Sequence, residues 1–259
     1  MADKEKARPA FAVWIADVTA AVEAPNELRE RADPEPEQSL RFAGIRKVAI
    51  FGAAGRTGRL IVDLLLANSL RVTAFVRELR SGYDLPDVVR IVEGSIERDE
   101  DVREAIEEQD AVICALGPSR RGPPDVLAVA AGTIFPAMRD LEVRRYVGVL
   151  GATVRCPGDS ATLGAAVVYG IIRIMARRFV RAAGTHLRMA EQSGLDWTIV
   201  RPPRLTDGPP AGVAAGYGVR LAARSSISRA DLAEFVVSQL DTDRWVGRAP
   251  MVVGRTRPR

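Results

Sequence analysis

The sequence has few of the residues that bind metals or form disulfide bonds. Its 259 residues include a single histidine, His186, and two cysteines, Cys114 and Cys156. Zinc sites draw on several histidine and cysteine ligands and calcium sites on clustered carboxylates, and the sequence has neither pattern. One cysteine falls in an apolar run and the other in a loop, which predicts no disulfide framework. We therefore expect no metal centre, and we interpret Cys114 as a core residue and Cys156 as an incidental thiol.

A long uncharged apolar segment is also missing. The longest candidate for a membrane span, residues 161–180, contains three arginines, and charged side chains are costly inside a bilayer. Near the N-terminus, the short apolar run 11–15 meets Asp17 before a signal-peptide core could form. We therefore expect no membrane span and no secretion, and predict a cytoplasmic protein.

The basic residues form no continuous stripe, although the formal net charge is +4. Proteins that bind nucleic acid usually gather lysine and arginine on one face or along one helix. Here the arginines are spread over many predicted elements, and the basic tail 255–259 is short. We therefore expect no nucleic-acid partner. A pocket for a dinucleotide that carries an extra phosphate would also attract several of these arginines.

A phosphate-binding motif follows the first strong apolar run. Residues 47–51 are typical of a buried strand, and the next residues include Gly52, Gly55 and Gly58 before a helical pattern over 59–67. In such a motif the first glycine makes a tight turn, the second lets a pyrophosphate approach the backbone, and the third lets the helix pack closely. The helix N-terminus then offers free N–H groups and the positive end of its dipole. The motif predicts nucleotide binding.

Short apolar runs alternate with helical patterns through the remainder of the chain. Strands are predicted at 48–51, 72–76, 88–92, 111–116, 146–150, 196–200 and 249–253, and later helices at 100–107, 126–140 and 225–240. Continuous aliphatic strands separated by crossover helices are typical of a parallel sheet buried on both faces. The sequence therefore predicts an α/β Rossmann-type domain over 45–259, doubly wound with helices on both faces, whose substrate pocket is formed by C-terminal segments.

Residues 1–44 are predicted to form an N-terminal arm that the Rossmann-type sheet does not require. Four apolar residues recur there at helical spacing, namely Phe11, Trp14, Ile15 and Val18. A helix over 9–31 would end before the Asp33-Pro34-Glu35-Pro36 stretch. The arm either packs on its own domain or serves as a docking or dimerisation helix, so a homodimer is an open alternative.

Five segments occur in the order found in a known family. They read VAIFGAAGRTG at 48–58, AFVR at 74–77, DAVICALG at 110–117, SGLDWTIVRP at 193–202 and ISRADLA at 227–233. In these segments the chain resembles the atypical short-chain dehydrogenases/reductases, specifically the NmrA-like and biliverdin-IXβ (flavin) reductase-like NAD(P)H-binding proteins. The resemblance spans about 47–253 and implies a Rossmann-type fold, a nicotinamide cofactor and a small-molecule substrate.

The resemblance also implies cofactor contacts beyond the three glycines of the loop. These are Arg56 and Thr57 in the loop, Leu116 and Gly117 after the fourth strand, and Arg201 and Pro202 after the sixth. Ser95 stands where the family usually has an aspartate near the adenine, so a neutral hydroxyl replaces a carboxylate there.

The end of the second strand indicates which nicotinamide cofactor is preferred. Enzymes that prefer NAD place an acidic residue there to bind the ribose 2′-hydroxyl, whereas an arginine can pair with a 2′-phosphate. Arg77 occupies this position, and Arg56 and Arg80 would add to the positive charge or lie on the surface. We therefore predict NADPH as the cofactor.

The proton-transfer residues of short-chain dehydrogenases are incomplete in this chain. These enzymes use a serine or threonine after strand five and a Tyr-x-x-x-Lys pair in which lysine lowers the tyrosine pKa. Gly151 takes the serine position with Thr153 as the nearest hydroxyl, and Tyr169 is followed by Arg173 instead of lysine. Thr153, Tyr169 and His186 are the catalytic candidates. The apolar helical stretch around Tyr169 favours a packing role for that residue. His186 would face the substrate pocket or lie on the solvent side.

These features predict an NADPH-dependent reductase of a small planar or carbonyl-bearing molecule, such as a flavin or quinone. Hydride transfer to a planar acceptor requires stacking against the nicotinamide, and the proton can come from solvent. The glycine-rich stretch 206–218 would border the pocket. A non-catalytic NADP(H)-binding redox sensor or assembly factor is a second hypothesis, and an isomerase or cyclase on the same scaffold is a third.

Overall fold

The computed structural model describes residues 44–78, 85–117, 123–217 and 219–255. Almost all of the predicted N-terminal arm lies outside these residues, as do Arg80 and Gly218. The central sheet has six strands, in the order β3-β2-β1-β4-β5-β7, and every neighbouring pair is parallel. The strands are β1 Lys47–Phe51, β2 Arg71–Val76, β3 Arg90–Glu93, β4 Ala111–Cys114, β5 Arg145–Val149 and β7 Asp196–Val200.

Helices cover both faces of this sheet. They are α1 Arg56–Ala67, α2 Asp99–Ile106, α3 Val126–Asp140, α5 Arg177–Gln192 and α6 Arg229–Ser238, whereas α4 Leu163–Met175 packs chiefly against α5 and belongs to neither core of the sheet. Side chains alternate along each strand, so Ala49 and Phe51 join the core formed with α2, α3 and α5, whereas Val48 and Ile50 join the core formed with α1 and α6. The predicted doubly wound Rossmann-type fold is confirmed.

The C-terminal part of the chain adds three two-stranded pairings outside the central sheet. They join β6 Ser160–Ala161 to β10 Arg220–Leu221, β8 Arg204–Thr206 to β11 Ser226–Ser228, and β9 Val213–Gly216 to β12 Met251–Gly254. The predicted final strand 249–253 is thus β12, and it pairs antiparallel with β9. The glycine-rich stretch 206–218, which was expected to border the pocket, therefore contains strand β9.

The helix predicted over 225–240 begins later than expected. Residues 226–228 form β11, and α6 starts at Arg229. Ser228 is the N-cap, since its hydroxyl accepts a hydrogen bond from the backbone N–H of Asp231 at 2.9 Å. The apolar pattern alone did not distinguish the strand from the helix that follows it.

The strand order reverses direction between β1 and β4, which defines the switch point of the sheet. In open parallel sheets, ligands bind in the crevice outside the carboxyl ends of the strands at such a point. The glycine motif follows β1 directly and residues 115–117 follow β4, so the fold brings both segments to this crevice.

Across the described ranges, no helix has the length and apolar character needed to cross a membrane.

Candidate functional site

The glycine motif has room only for glycine at two of its positions, one in the turn after β1 and one in the first turn of α1. Gly52 has φ +95°, and a Cβ on it would lie 2.8 Å from the backbone of Ala115 after β4. A Cβ on Gly58 would lie 2.0 Å from the carbonyl oxygen of Gly52. The Gly55 N–H donates to that same oxygen at 3.0 Å and closes the turn. Two of the glycines therefore let the strand, the loop and the helix approach more closely than side chains would allow.

The N-terminus of α1 presents backbone donors without a competing acid. Gly55 is the N-cap residue and makes no side-chain capping hydrogen bond, and the first turn contains no acidic residue. The first N–H groups of a helix have no partner within the helix, and the helix dipole adds partial positive charge at this end. This end of α1 is therefore suited to an anion such as a pyrophosphate.

A cavity of about 860 Å³ opens beside the glycine turn, at the switch point of the sheet. One side is formed by the turn and by Phe75 and Arg77 at the end of β2. The other side is formed by residues 149–153, by 202–205 and by α4. Its size and its position are those expected of a small-molecule or cofactor site.

Most of the predicted cofactor contacts line this cavity. They are Gly52, Gly55, Arg56, Thr57, Gly58, Arg77, Leu116, Gly117 and Pro202. Ser95 is not in the lining, although its neighbours Gly94 and Ile96 are. Its N–H donates to Asp101 of α2 at 2.7 Å, and its hydroxyl accepts from the N–H of Glu97 at 3.3 Å. Ser95 thus helps to shape the loop after β3.

Arg201 points away from the cavity, contrary to the expected contact near the nicotinamide. It is fully buried, and its guanidinium donates to both carboxylate oxygens of Asp159 at 2.6 and 2.7 Å. It also donates to the carbonyl oxygens of Ala249 and Val154. Successive side chains of an extended segment face opposite sides, so Pro202 reaches the cavity and Arg201 does not. Arg201 holds the loop after β5 against the C-terminal segment.

Two of the three catalytic candidates line the cavity. The Thr153 hydroxyl oxygen lies 3.4 Å from the position that a Cβ on Gly151 would take, so it stands beside the place of the missing serine side chain. Tyr169 reaches the cavity from α4 and packs against a small apolar cluster around Ala165. Burial raises the pKa of Tyr169. A raised pKa is the opposite of the lowering that lysine gives the tyrosine of short-chain dehydrogenases.

His186, the third candidate, lies in the core and faces neither the cavity nor the solvent. Its Nδ1 lies 2.8 Å from the carbonyl oxygen of Leu127, and its Nε2 lies 2.7 Å from the hydroxyl of Tyr146. A carbonyl oxygen only accepts, so Nδ1 carries the proton and Nε2 accepts from Tyr146. Burial lowers the pKa of His186 to about 4. This histidine is neutral at pH 7 and connects α5 to α3 and β5.

The sequence reasoning missed two further arginines of the cavity and the carboxylate that joins one of them to the glycine loop. Arg204 and Arg229 both line the cavity. Asp207 binds Arg229 at 2.5 Å and Arg56 at 3.2 Å. Arg204 directly follows a proline pair and Arg229 follows a helix cap, but only the folded chain brings Asp207 to both of its partners. This carboxylate therefore links the nucleotide loop to the C-terminal segments.

The glycine-rich stretch 206–218 was expected to border the cavity, but none of its described residues, 206–217, lines it. Lining residues on this side come from 202–205 and from Ala223, Ser225 and Arg229. The backbone N–H groups of Ala211 and Gly212 donate to the carboxylate of Asp231 at the start of α6. The glycine-rich stretch is thereby attached to α6.

Within the described ranges, no group of three potential metal ligands is close enough to hold an ion.

Comparison with known proteins agrees with this geometry. Residues 52–243 match the model of a family described as NAD(P)H-binding. An uncharacterized chloroplastic protein of Arabidopsis thaliana is 27% identical over 212 residues, which cover 75% of this chain and 72% of that protein.

Solved structures share the fold at low identity. ChuY, an anaerobilin reductase from Escherichia coli O157:H7, has a TM-score of 0.69 and 18% identity, covering 82% of this chain and 100% of its own. A short-chain dehydrogenase/reductase from Veillonella parvula in complex with NADP has a TM-score of 0.66 and 19% identity, covering 82% and 95%. Because the family model covers residues 52–243, the chain belongs to that NAD(P)H-binding family, and the glycine turn and the cavity beside it agree with this.

Proposed function

We propose that the protein is an NADPH-dependent reductase of a small planar or carbonyl-bearing molecule, such as a flavin or a quinone. The observation that carries this proposal is the continuity of the cavity. It extends from the glycine turn and Arg77 at one side to Thr153 and Tyr169 at the other. A site of this form can hold a dinucleotide and an acceptor side by side.

The residues of the nucleotide side fit the cofactor. Gly52 and Gly58 keep the turn free of side chains, and the first turn of α1 offers N–H groups to the pyrophosphate. Arg77 lines the cavity just after β2, which is the position of the adenosine ribose in Rossmann-type sites. Its guanidinium would pair with a 2′-phosphate, which supports NADPH as the cofactor.

The acceptor side supports reduction without a dedicated proton donor. Bound NADPH would supply the hydride. The Thr153 hydroxyl, beside Gly151, can donate a hydrogen bond to an acceptor oxygen or ring nitrogen. Because burial raises the pKa of Tyr169, that phenol stays protonated at neutral pH and can also donate. A flavin or quinone would take its proton from water, so the site needs an open planar space more than an acid.

A second hypothesis is a non-catalytic NADP(H)-binding sensor, and two observations favour it. Short-chain dehydrogenases rely on a tyrosine whose pKa is lowered by a lysine, whereas the pKa of Tyr169 is raised. The serine position is also occupied by Gly151. A protein of this kind would bind NADPH and not oxidise it.

Turnover separates the two hypotheses. Each cuvette contains purified protein, NADPH and one acceptor, which is FMN, dichloroindophenol or a short-chain quinone. The absorbance of the nicotinamide band is followed over time. The reductase hypothesis predicts that this absorbance falls with at least one acceptor, and only when the protein is present. The protein with Gly58→Ala serves as the control, because its nucleotide turn is blocked. Tight NADPH binding without oxidation by any acceptor would favour the sensor.

A further inference from the structure

Helix α4 exposes an apolar face that no described part of the protein covers. Of its 13 residues only Ala165 is buried. Its most exposed apolar side chains are Leu163 at 89%, Met175 at 83% and Ile174 at 72%, with Ile171 at 52% and Val167 at 48%. A contiguous apolar surface of this kind on one helix usually marks a binding surface.

The surroundings of α4 carry charge of one sign. Between Asp159 and Glu191 the sequence contains no acidic residue and five arginines, namely Arg173, Arg177, Arg178, Arg181 and Arg188. The four that lie in α4 or in the first turns of α5 are all exposed, as is Arg188. The apolar face therefore has a basic border at its C-terminal end.

The N-terminal end of α4 has a basic border as well. Strand β10 pairs with β6 just before α4, and the Cβ of Ala223 lies 3.7 Å from the position of a Cβ on Gly164. The segment between Asp207 and Asp231 also contains no acidic residue, and it places the exposed Arg220 and Arg224 at this end. Apolar side chains with arginines at both ends complement a surface that has an apolar interior and anionic groups at its outer boundary.

We propose that α4 is a docking element for an anionic lipid surface, with the helix lying in the plane of the interface. An apolar helix face inserts among the acyl chains close to the headgroups, and neighbouring arginines bind the anionic headgroups. The helix is about 20 Å long, short of the ~30 Å hydrocarbon thickness, so it lies on the membrane and does not span it.

The charge pattern favours lipid over a second copy of the chain. In a two-fold symmetric dimer the same face meets itself, which would bring the arginines of both copies together. An anionic bilayer instead neutralises every arginine around α4. Docking to lipid also requires neither cofactor nor turnover, so this inference does not depend on the proposed reductase activity.

Vesicle sedimentation tests the proposal with the full chain. Vesicles of equal parts phosphatidylcholine and phosphatidylglycerol are expected to carry the protein into the pellet, and added salt should release it. Pure phosphatidylcholine vesicles should bind far less. The double change Ile174→Glu and Met175→Glu should weaken binding by about a hundredfold or more, which is what the loss of two inserted apolar side chains costs. The double change Arg177→Gln and Arg178→Gln should weaken it about fivefold per arginine.

Matched controls keep the result specific. Val88→Glu removes another exposed apolar side chain, 76% exposed and outside α4, and should leave vesicle binding unchanged. Arg71→Gln with Arg139→Gln removes the same charge from exposed sites elsewhere and should have little effect. An unchanged free energy of unfolding in denaturant would show that each variant is folded.

The proposal is wrong if the wild-type protein stays in the supernatant with anionic vesicles, or if the α4 variants sediment as well as the controls do. In the first case, light scattering of the wild-type and α4 variants would show whether a second copy covers the face instead.

Discussion

The carbonyl oxygen of Gly52 occupies the place where a side chain on Gly58 would begin, 2.0 Å from the position of its Cβ. The end of β1 and the first turn of α1 are therefore in contact through backbone alone. This contact aims the helix N-terminus at the cavity. Any residue larger than glycine at position 58 must push the strand end and the helix apart.

Gly58→Ala is expected to lower the free energy of unfolding by about 1–3 kcal/mol, the usual range for overpacking a tight site. It should also abolish measurable NADPH binding, because the phosphate-binding turn shifts. Denaturant unfolding and NADPH titration measure the two effects. Gly132→Ala is the matched control, since Gly132 lies within α3 and a Cβ there would contact nothing within 4 Å. That change should be neutral or slightly stabilising. Equal effects at both positions would contradict the close contact.

Arg77→Glu is expected to weaken NADPH binding by about 10- to 100-fold and to leave NADH binding nearly unchanged. Hydrogen bonds to a charged group contribute about 1.5–3 kcal/mol, and only NADPH has the 2′-phosphate that Arg77 would bind. Arg71→Glu, at the exposed first residue of β2, should affect neither cofactor. Parallel titrations measure all four affinities. Equal losses for NADPH and NADH would remove Arg77 from the 2′-phosphate site.

The burial of His186 can be tested by the pH dependence of the free energy of unfolding, compared between the wild-type protein and a variant without this histidine. The pKa of His186 is about 4 in the folded protein, below the ordinary value of 6.5, because burial disfavours the charged ring. The unfolded chain thus binds a proton more readily, and the stability that the neutral ring contributes is complete above pH 6.5. It is lost as the pH falls from 6.5 through 4, by about 3 kcal/mol in all.

Denaturant unfolding of the wild-type protein and of His186→Gln between pH 4 and 7 measures this loss. His186 is the only histidine in the chain, so no other imidazole titrates in this range. The wild-type protein and the variant contain the same carboxylates, so we expect the titration of those groups to cancel in the difference. The stability gap should narrow as the pH falls. A gap that stays constant would mean that His186 is accessible to solvent and titrates near its ordinary pKa.

Tyr169→Phe is expected to lower kcat by no more than about tenfold, the effect of one lost hydrogen bond. Loss of a true general acid would cost about 10²- to 10⁴-fold. The raised pKa of Tyr169 and the arginine that replaces lysine four residues after it are the reasons for the smaller figure. Steady-state rates with the best acceptor provide the measurement. Tyr217→Phe is the control, because Tyr217 binds the Ala249 N–H and does not line the cavity.

Much of the fold was predictable because it depends on local sequence signals. The apolar runs of β1, β2 and β4 are buried on both faces and have no other explanation than central parallel strands. The glycine spacing fixes the turn after β1, and the switch point then follows from the strand order. Nine of the predicted cofactor residues line one cavity for this reason.

The directions of individual side chains were not predictable. Arg201 and Pro202 are adjacent in sequence, yet one binds buried Asp159 and the other reaches the cavity. The register of β7 determines which of these two side chains faces the cavity, and the sequence does not reveal that register. His186 lies on the buried face of α5, and its neighbour Tyr146 comes from a strand 40 residues away. Asp207 reaches Arg56 across 151 residues, a contact for which no local pattern exists.

Titration with NADPH and NADH is the most direct measurement, with cofactor fluorescence as the signal. Saturable NADPH binding that is much tighter than NADH binding, and that is lost in Gly58→Ala, is the expected result. It would place the dinucleotide in the cavity between the glycine turn and Arg77. Failure of the wild-type protein to bind either cofactor would contradict the proposed function at its foundation, because the turn would then have only a structural role.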